Sequence, residues 1–253
     1  MNKRGVITTF VLLGIVIVTI TFLLIFLKTT FLQSSLDNSI SKSITLPQKV
    51  QSVSTFMEGC IEENGYDALY WLGKQGGYLF PPQPVTSNNV PYFSLKGKSF
   101  FPSKEQLEQE LSLFMNQEVS FCTKDFSKNF PHFRVQQGRV ETKTTILDEK
   151  VIFTVIFPIK LTENSATFML GKFGNIEVFV REGTVYNVAS SIVKEQLLDP
   201  ERICLSCLIS FGNQNDIQID IKEEQPNTLI ITLVDEKSVI NELPYRFTFA
   251  HGY

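Results

Sequence analysis

Residues 133–181 read FRVQQGRVETKTTILDEKVIFTVIFPIKLTENSATFMLGKFGNIEVFVR. In this stretch apolar and polar side chains alternate, Val, Ile, Phe and Thr dominate, and Asp148-Glu149 and Asn164-Ser165 interrupt the runs. A period of two with β-branched and aromatic residues belongs to strands half-buried on one face. The pattern predicts strands at 133–145, 150–161, 166–171 and 175–181. Downstream, Glu182-Gly183 turns the chain into a helix over 184–198, with Val185, Val188, Ile192 and Val193 on one side. Asp199-Pro200 is read as N-cap and first residue of a second helix ending before Gly212. Strands follow at 216–222 and 227–234, and a last one carries PYRFTFAHGY.

Upstream the period is helical. Val50, Val53, Met57, Cys60 and Ile61 recur at helix spacing over 47–74, with Pro47 suited to the first position and Gly76-Gly77 to the end. The proline-rich stretch 78–93 is expected to be a loop or extended cover whose aromatics Tyr78, Phe80, Tyr92 and Phe93 are packed. Ser103 and Gln106 form a capping box ahead of a second helix bearing Leu107, Leu111, Phe114 and Met115, which fades before Cys122. The fold class is therefore α+β: two helices, then a largely antiparallel sheet interrupted by a helical pair.

The N-terminus is of another kind. From Val6 to Leu27 there are 22 residues without charge or proline, preceded by Lys3 and Arg4 and closed by Lys28. A helix of that length spans roughly 30 Å, the hydrocarbon core of a bilayer. The run is longer than a secretory h-region, and no small-residue A-x-A site follows it. The basic flank is expected to stay cytoplasmic, which exports everything after the helix. The organisation is thus a basic segment at 1–5, a transmembrane helix at 6–27 in contact with the lipid bilayer, a stalk at 28–46, and an extracytoplasmic domain at 47–253. Three of the 23 Lys+Arg and none of the 26 Asp+Glu lie in residues 1–28, so the exported part carries a net −6. An acidic body lacks the basic stripe that nucleic acid requires.

Chemistry is sparse. The four cysteines, Cys60, Cys122, Cys204 and Cys207, permit two disulfides in three connectivities. A Cys60–Cys122 bridge is the expected clamp between the first two soluble helices. The Cys204/Cys207 pair is a C-x-x-C in apolar surroundings, expected near the end of a first helical turn, buried and inert. No aromatic or basic flank of thioredoxin type precedes it. His132 and His251 are isolated in sequence, so no zinc set assembles from spacing. No G-x-S-x-G, H-E-x-x-H or Walker-type loop occurs. The expectation is a protein that is not an enzyme, with no cofactor and no metal.

Arg4-Gly5 followed by Val6-Ile7 and the apolar run resembles an archaeal class III, type IV prepilin-like signal. The resemblance implies cleavage between Gly5 and Val6, with the helix retained to pack into a filament or platform. Phe10 stands where many bacterial pilins carry glutamate, and the exported body is larger than that of most simple pilins. The body resembles a family of archaeal single-pass membrane proteins with no assigned activity. It does so in the Cys60 helix, Gly76-Gly77-Tyr78, Val90-Pro91-Tyr92, Pro102-Ser103, Cys122 and Pro244 to Ala250. The leading expectation is a surface protein that works through protein–protein contacts or self-association. The competing one is a bitopic ligand-binding or thiol-redox module, using Cys204 and Cys207 as a monomer.

Overall fold

The computed structural model describes residues 48–124 and 126–253. The expected transmembrane helix, the Gly5/Val6 junction, the stalk and Pro47 lie outside the described residues. Among the described residues, no helix is long and apolar enough to cross a membrane.

The architecture is α+β, in two sheets. Helix α1 (Gln48–Gly73) leads through an extended segment to strands β1 (Tyr92–Leu95) and β2 (Lys98–Ser99), then to helix α2 (Lys104–Glu118). A 3-10 turn (Val119–Thr123) and a single turn α3 (Phe126–Asn129) precede β3 (Arg134–Gln137), β4 (Glu141–Ile146), β5 (Val151–Glu163) and β6 (Ala166–Val178). The helical pair α4 (Glu182–Leu198) and α5 (Leu205–Asn215) follows, and β7 (Gln218–Gln225), β8 (Thr228–Ile240) and β9 (Leu243–Gly252) close the chain.

Three expectations are corrected here. The strands form two sheets, ordered β2-β1-β9-β8-β7 and β3-β5-β4 with β6 also on β5, and the helical pair joins them. The segments expected as separate strands at 166–171 and 175–181 are one strand. It follows β5 from Glu163↔Ala166 to Val151↔Val178 by slipping register twice. Conversely, 133–145 is two strands, broken at Gly138, whose N–H donates to the Pro158 carbonyl. β4 and β3 occupy successive halves of one edge of β5, and β6 takes the other.

The first sheet depends on a pairing remote in sequence. β1 runs parallel to β9, with Ser94 opposite His251. Phe93 stacks on Phe249 at 4.6 Å and meets Phe101 edge-on at 5.1 Å. Burying a side chain of this size stabilises by roughly 1.5–3 kcal/mol. Tyr78 is also buried and Tyr92 half-buried, as expected of the proline-rich cover, but Phe80 is 78% exposed.

Helix ends follow local chemistry. Ser103 accepts from the Gln106 N–H while Gln106 accepts from the Ser103 N–H, completing the capping box. The Gly77 N–H returns to the Leu72 carbonyl with φ +82°, which ends α1. At α4, the Gly183 and Thr184 N–H groups donate to the Leu147 and Asp148 carbonyls. The turn between β4 and β5 thus supplies the cap. A Cβ on Gly183 would lie 2.5 Å from the Leu147 oxygen, so this approach requires glycine.

Helix α2 covers the free edge of β4. The Ile146, Thr144 and Thr142 N–H groups donate to Glu108 Oε1, Ser112 Oγ and Asn116 Oδ1, at 2.9, 3.1 and 2.7 Å. Three polar side chains spaced four apart stand in for a neighbouring strand. They close an edge that would otherwise invite pairing with another chain.

Candidate functional site

The C-x-x-C pair sits where α4 turns into α5. Asp199 is the C-cap of α4, so it does not start a new helix as expected, and the turn closes from the Arg202 N–H to the Asp199 carbonyl. Helix α5 starts five residues later than the Pro200 reading implied, at Leu205, with Cys204 itself as N-cap. Its sulfur accepts the Cys207 N–H at 3.2 Å, and its carbonyl accepts the Leu208 N–H at 3.1 Å. Cys204 therefore stands at the positive end of the helix, in contrast to its expected place inside the first turn.

The expectation of burial is also corrected. Cys204 and Cys207 are half-buried, while Leu205 and Ile209 are 58% and 64% exposed. The apolar residues of this segment split between the core, where Leu208 points, and a groove of about 590 Å³ between α5 and β7. Leu205, between the two cysteines, lines that groove with Ile209, Gly212, Ile219 and Ile221.

All four cysteines are paired: Cys60 with Cys122 across 62 residues, as expected, and Cys204 with Cys207 across three. The first bridge ties α1 to the turn after α2. Beside the second, the Glu195 carboxylate of α4 lies 3.5 Å from Cys207 Sγ. Glu195, Cys204 and Cys207 hold three ligand-type atoms within 4.8 Å of one another, but both sulfurs are committed to the disulfide. A metal set would require the dithiol form.

The fold also joins residues that look unrelated in sequence. Ser94 Oγ lies 2.6 Å from His251 Nδ1, and Gln196 Nε2 lies 3.2 Å from His251 Nε2. Proton assignment decides what this arrangement does. The Gln196 amide donates to the Arg202 carbonyl at 3.1 Å, so its second hydrogen faces His251 Nε2, which accepts. The imidazole proton is then on Nδ1 and goes to Ser94. The histidine lone pair is occupied, and Ser94 receives a proton where a nucleophile would give one away. Both residues are buried between β1 and β9, and burial holds His251 below its ordinary 6.5. This triplet joins strands and α4. His132 is exposed.

Two further buried polar clusters lie among the described residues. Arg181 donates to Asp235 Oδ1 at 2.9 Å and to the Asn215 carbonyl at 2.7 Å, joining β8 to the end of α5. Asp235 also accepts from Ser238 at 2.5 Å. At the start of α4, Glu182 accepts from the Tyr245 hydroxyl inside the core. Burial pushes the Glu182 carboxyl up to about 8, against the opposing effects of that hydrogen bond and of Lys104.

Comparison of the chain with protein-family models, with curated proteins and with solved structures returns no match. Sequence reading did not find Glu195, Gln196 or Ser94, because each meets its partner through tertiary packing. The helical spacing of Glu108, Ser112 and Asn116 was legible, but nothing in it announces a strand edge as the partner.

Proposed function

We propose that this chain is a membrane-anchored, exported protein whose α+β domain works through protein–protein contacts, in the manner of a type IV pilin-like subunit. The observation that carries the reading is the closure of both cysteine pairs in the domain that follows the 22-residue apolar segment. Fully paired cysteines belong to an oxidising, extracytoplasmic setting. The net −6 of the domain and the absence of a nucleophile motif agree with a binding role away from nucleic acid. If helices 6–27 pack together, Gly14 with Thr8, Thr9, Thr19 and Thr21 allows close approach.

The deciding experiment is intact-mass measurement and N-terminal sequencing of the protein from its native membrane. A start at Val6 supports prepilin-type processing. A start at Met1 leaves a plain signal anchor, and recovery of the chain without a membrane overturns the anchor itself. Gly14→Leu should impair assembly while leaving the exported domain folded, and unimpaired assembly refutes the helix packing.

A further inference from the structure

The two disulfides do different structural work. Cys60–Cys122 joins separate elements, whereas Cys204–Cys207 lies within one turn at the start of α5 and holds nothing else together. Cutting it leaves the helix capped, because the Cys204 sulfur still accepts the Cys207 N–H. The two sulfurs also differ. Cys204 sits at the helix N-terminus, receives a backbone N–H and lies 3.5 Å from the Ser206 hydroxyl, all of which favour a negative sulfur. Cys207 faces the Glu195 carboxylate, which opposes negative charge on that sulfur and repels an approaching thiolate. Beside them, exposed Leu205 and Ile209 open onto a groove of mixed lining, Ile219 and Ile221 together with Asp216 and Glu236, large enough to seat a side chain.

We propose that Cys204–Cys207 is an exchangeable disulfide that oxidises a dithiol in a polypeptide substrate, with Cys204 as the attacked sulfur and Glu195 as the proton relay for Cys207. A substrate thiol gives up its proton to solvent and its sulfur attacks Cys204 Sγ. A mixed disulfide forms, the Cys204–Cys207 bond breaks, and Cys207 takes a proton through Glu195. The second substrate thiol then loses its proton to solvent and attacks the substrate sulfur of the mixed disulfide. The substrate disulfide closes, and Cys204 leaves as a thiolate held by the Cys207 N–H. Two electrons pass from the substrate dithiol to the Cys204/Cys207 pair, which is left as the dithiol, and this single oxidation needs no other reactant. The inference does not depend on the membrane anchor.

The test equilibrates the full chain, in non-ionic detergent, with glutathione buffers of graded ratio. Samples are acid-quenched, alkylated and read by peptide mass spectrometry. Cys204–Cys207 should be reduced at ratios that leave Cys60–Cys122 intact, with the circular dichroism spectrum unchanged. At pH 6.5 the freed Cys204 should alkylate about tenfold faster than Cys207, as expected for a thiolate stabilised at a helix N-terminus. Glu195→Gln should narrow that ratio, and an unchanged ratio removes Glu195 from the reaction. Cys207→Ser should trap a mixed disulfide at Cys204 with a one-cysteine peptide supplied as its glutathione mixed disulfide, the Cys204 thiolate attacking the peptide sulfur and glutathione leaving as the thiol, whereas Cys204→Ser should trap none. Reduction of both bridges together, equal alkylation rates in the native chain, or no trapping by folded Cys207→Ser each overturns the proposal.

Discussion

Glu182 makes this domain's stability fall as pH rises, and Glu182→Gln should reverse that. The carboxyl is 2% exposed, accepts from Tyr245, and is pushed from an ordinary 4.5 to about 8 by burial. In the folded protein at pH 7 it carries a proton, and in the unfolded chain it does not, so folding takes up one proton. A folded value above the unfolded one means that stability is fully present below 4.5 and declines as pH rises towards 8. At about 1.36 kcal/mol per unit, the interval from 4.5 to pH 7 costs roughly 3 kcal/mol, and beyond pH 8 the cost levels off near 5 kcal/mol. The amide of Glu182→Gln keeps an acceptor for the Tyr245 hydroxyl and cannot ionise. The variant should therefore match the native protein near pH 4 and exceed it by roughly 3 kcal/mol at pH 7. Urea denaturation followed by far-UV circular dichroism at pH 4, 7 and 9 measures this directly. Equal destabilisation of the variant at all three pH values would refute the reasoning, because it would mean that Glu182 contributes packing and no proton linkage.

His251 carries the opposite sign. Its folded value lies below 6.5, so its contribution is complete above 6.5 and is lost as pH falls. With Glu182→Gln in place, stability should rise as pH climbs towards 6.5 from below, and imidazole nitrogen shifts should report the proton on Nδ1. Cys60→Ser should lower stability by about 4 kcal/mol, the loop-closure value for a bridge spanning 62 residues, read as a reduced urea midpoint. Asn116→Ala should cost roughly 1–3 kcal/mol by leaving the Thr142 N–H without its acceptor, and Asn116→Asp should restore most of that. Gly183→Ala should destabilise by more than the usual helix gain of alanine over glycine, since its Cβ meets the Leu147 carbonyl. A thermal melt in which Gly183→Ala stabilises would disprove that close approach.

The sequence by itself determined the periodic and local features. The stripes Val50 to Ile61 and Val185 to Val193, the Ser103–Gln106 capping box and the Gly76-Gly77 stop depend on neighbours within four residues or so. Such interactions are written along the chain, and α+β follows from their order. The expected long bridge between Cys60 and Cys122 was legible because the helical periodicity puts Cys60 on the first helix and Cys122 just after the second. Three features needed tertiary structure. The parallel pairing of β1 with β9 joins Ser94 to His251 across 157 residues, and short strands near prolines give no periodic signal. The start of α5 moved from Pro200 to Leu205 because the Arg202 carbonyl accepts from Gln196, which is in turn held by His251. That shift placed Cys204 at a helix N-terminus and its neighbours Leu205 and Ile209 at the surface. Local propensity weighs Asp-Pro as a helix start, but it does not register a hydrogen bond to a side chain fixed by a distant strand.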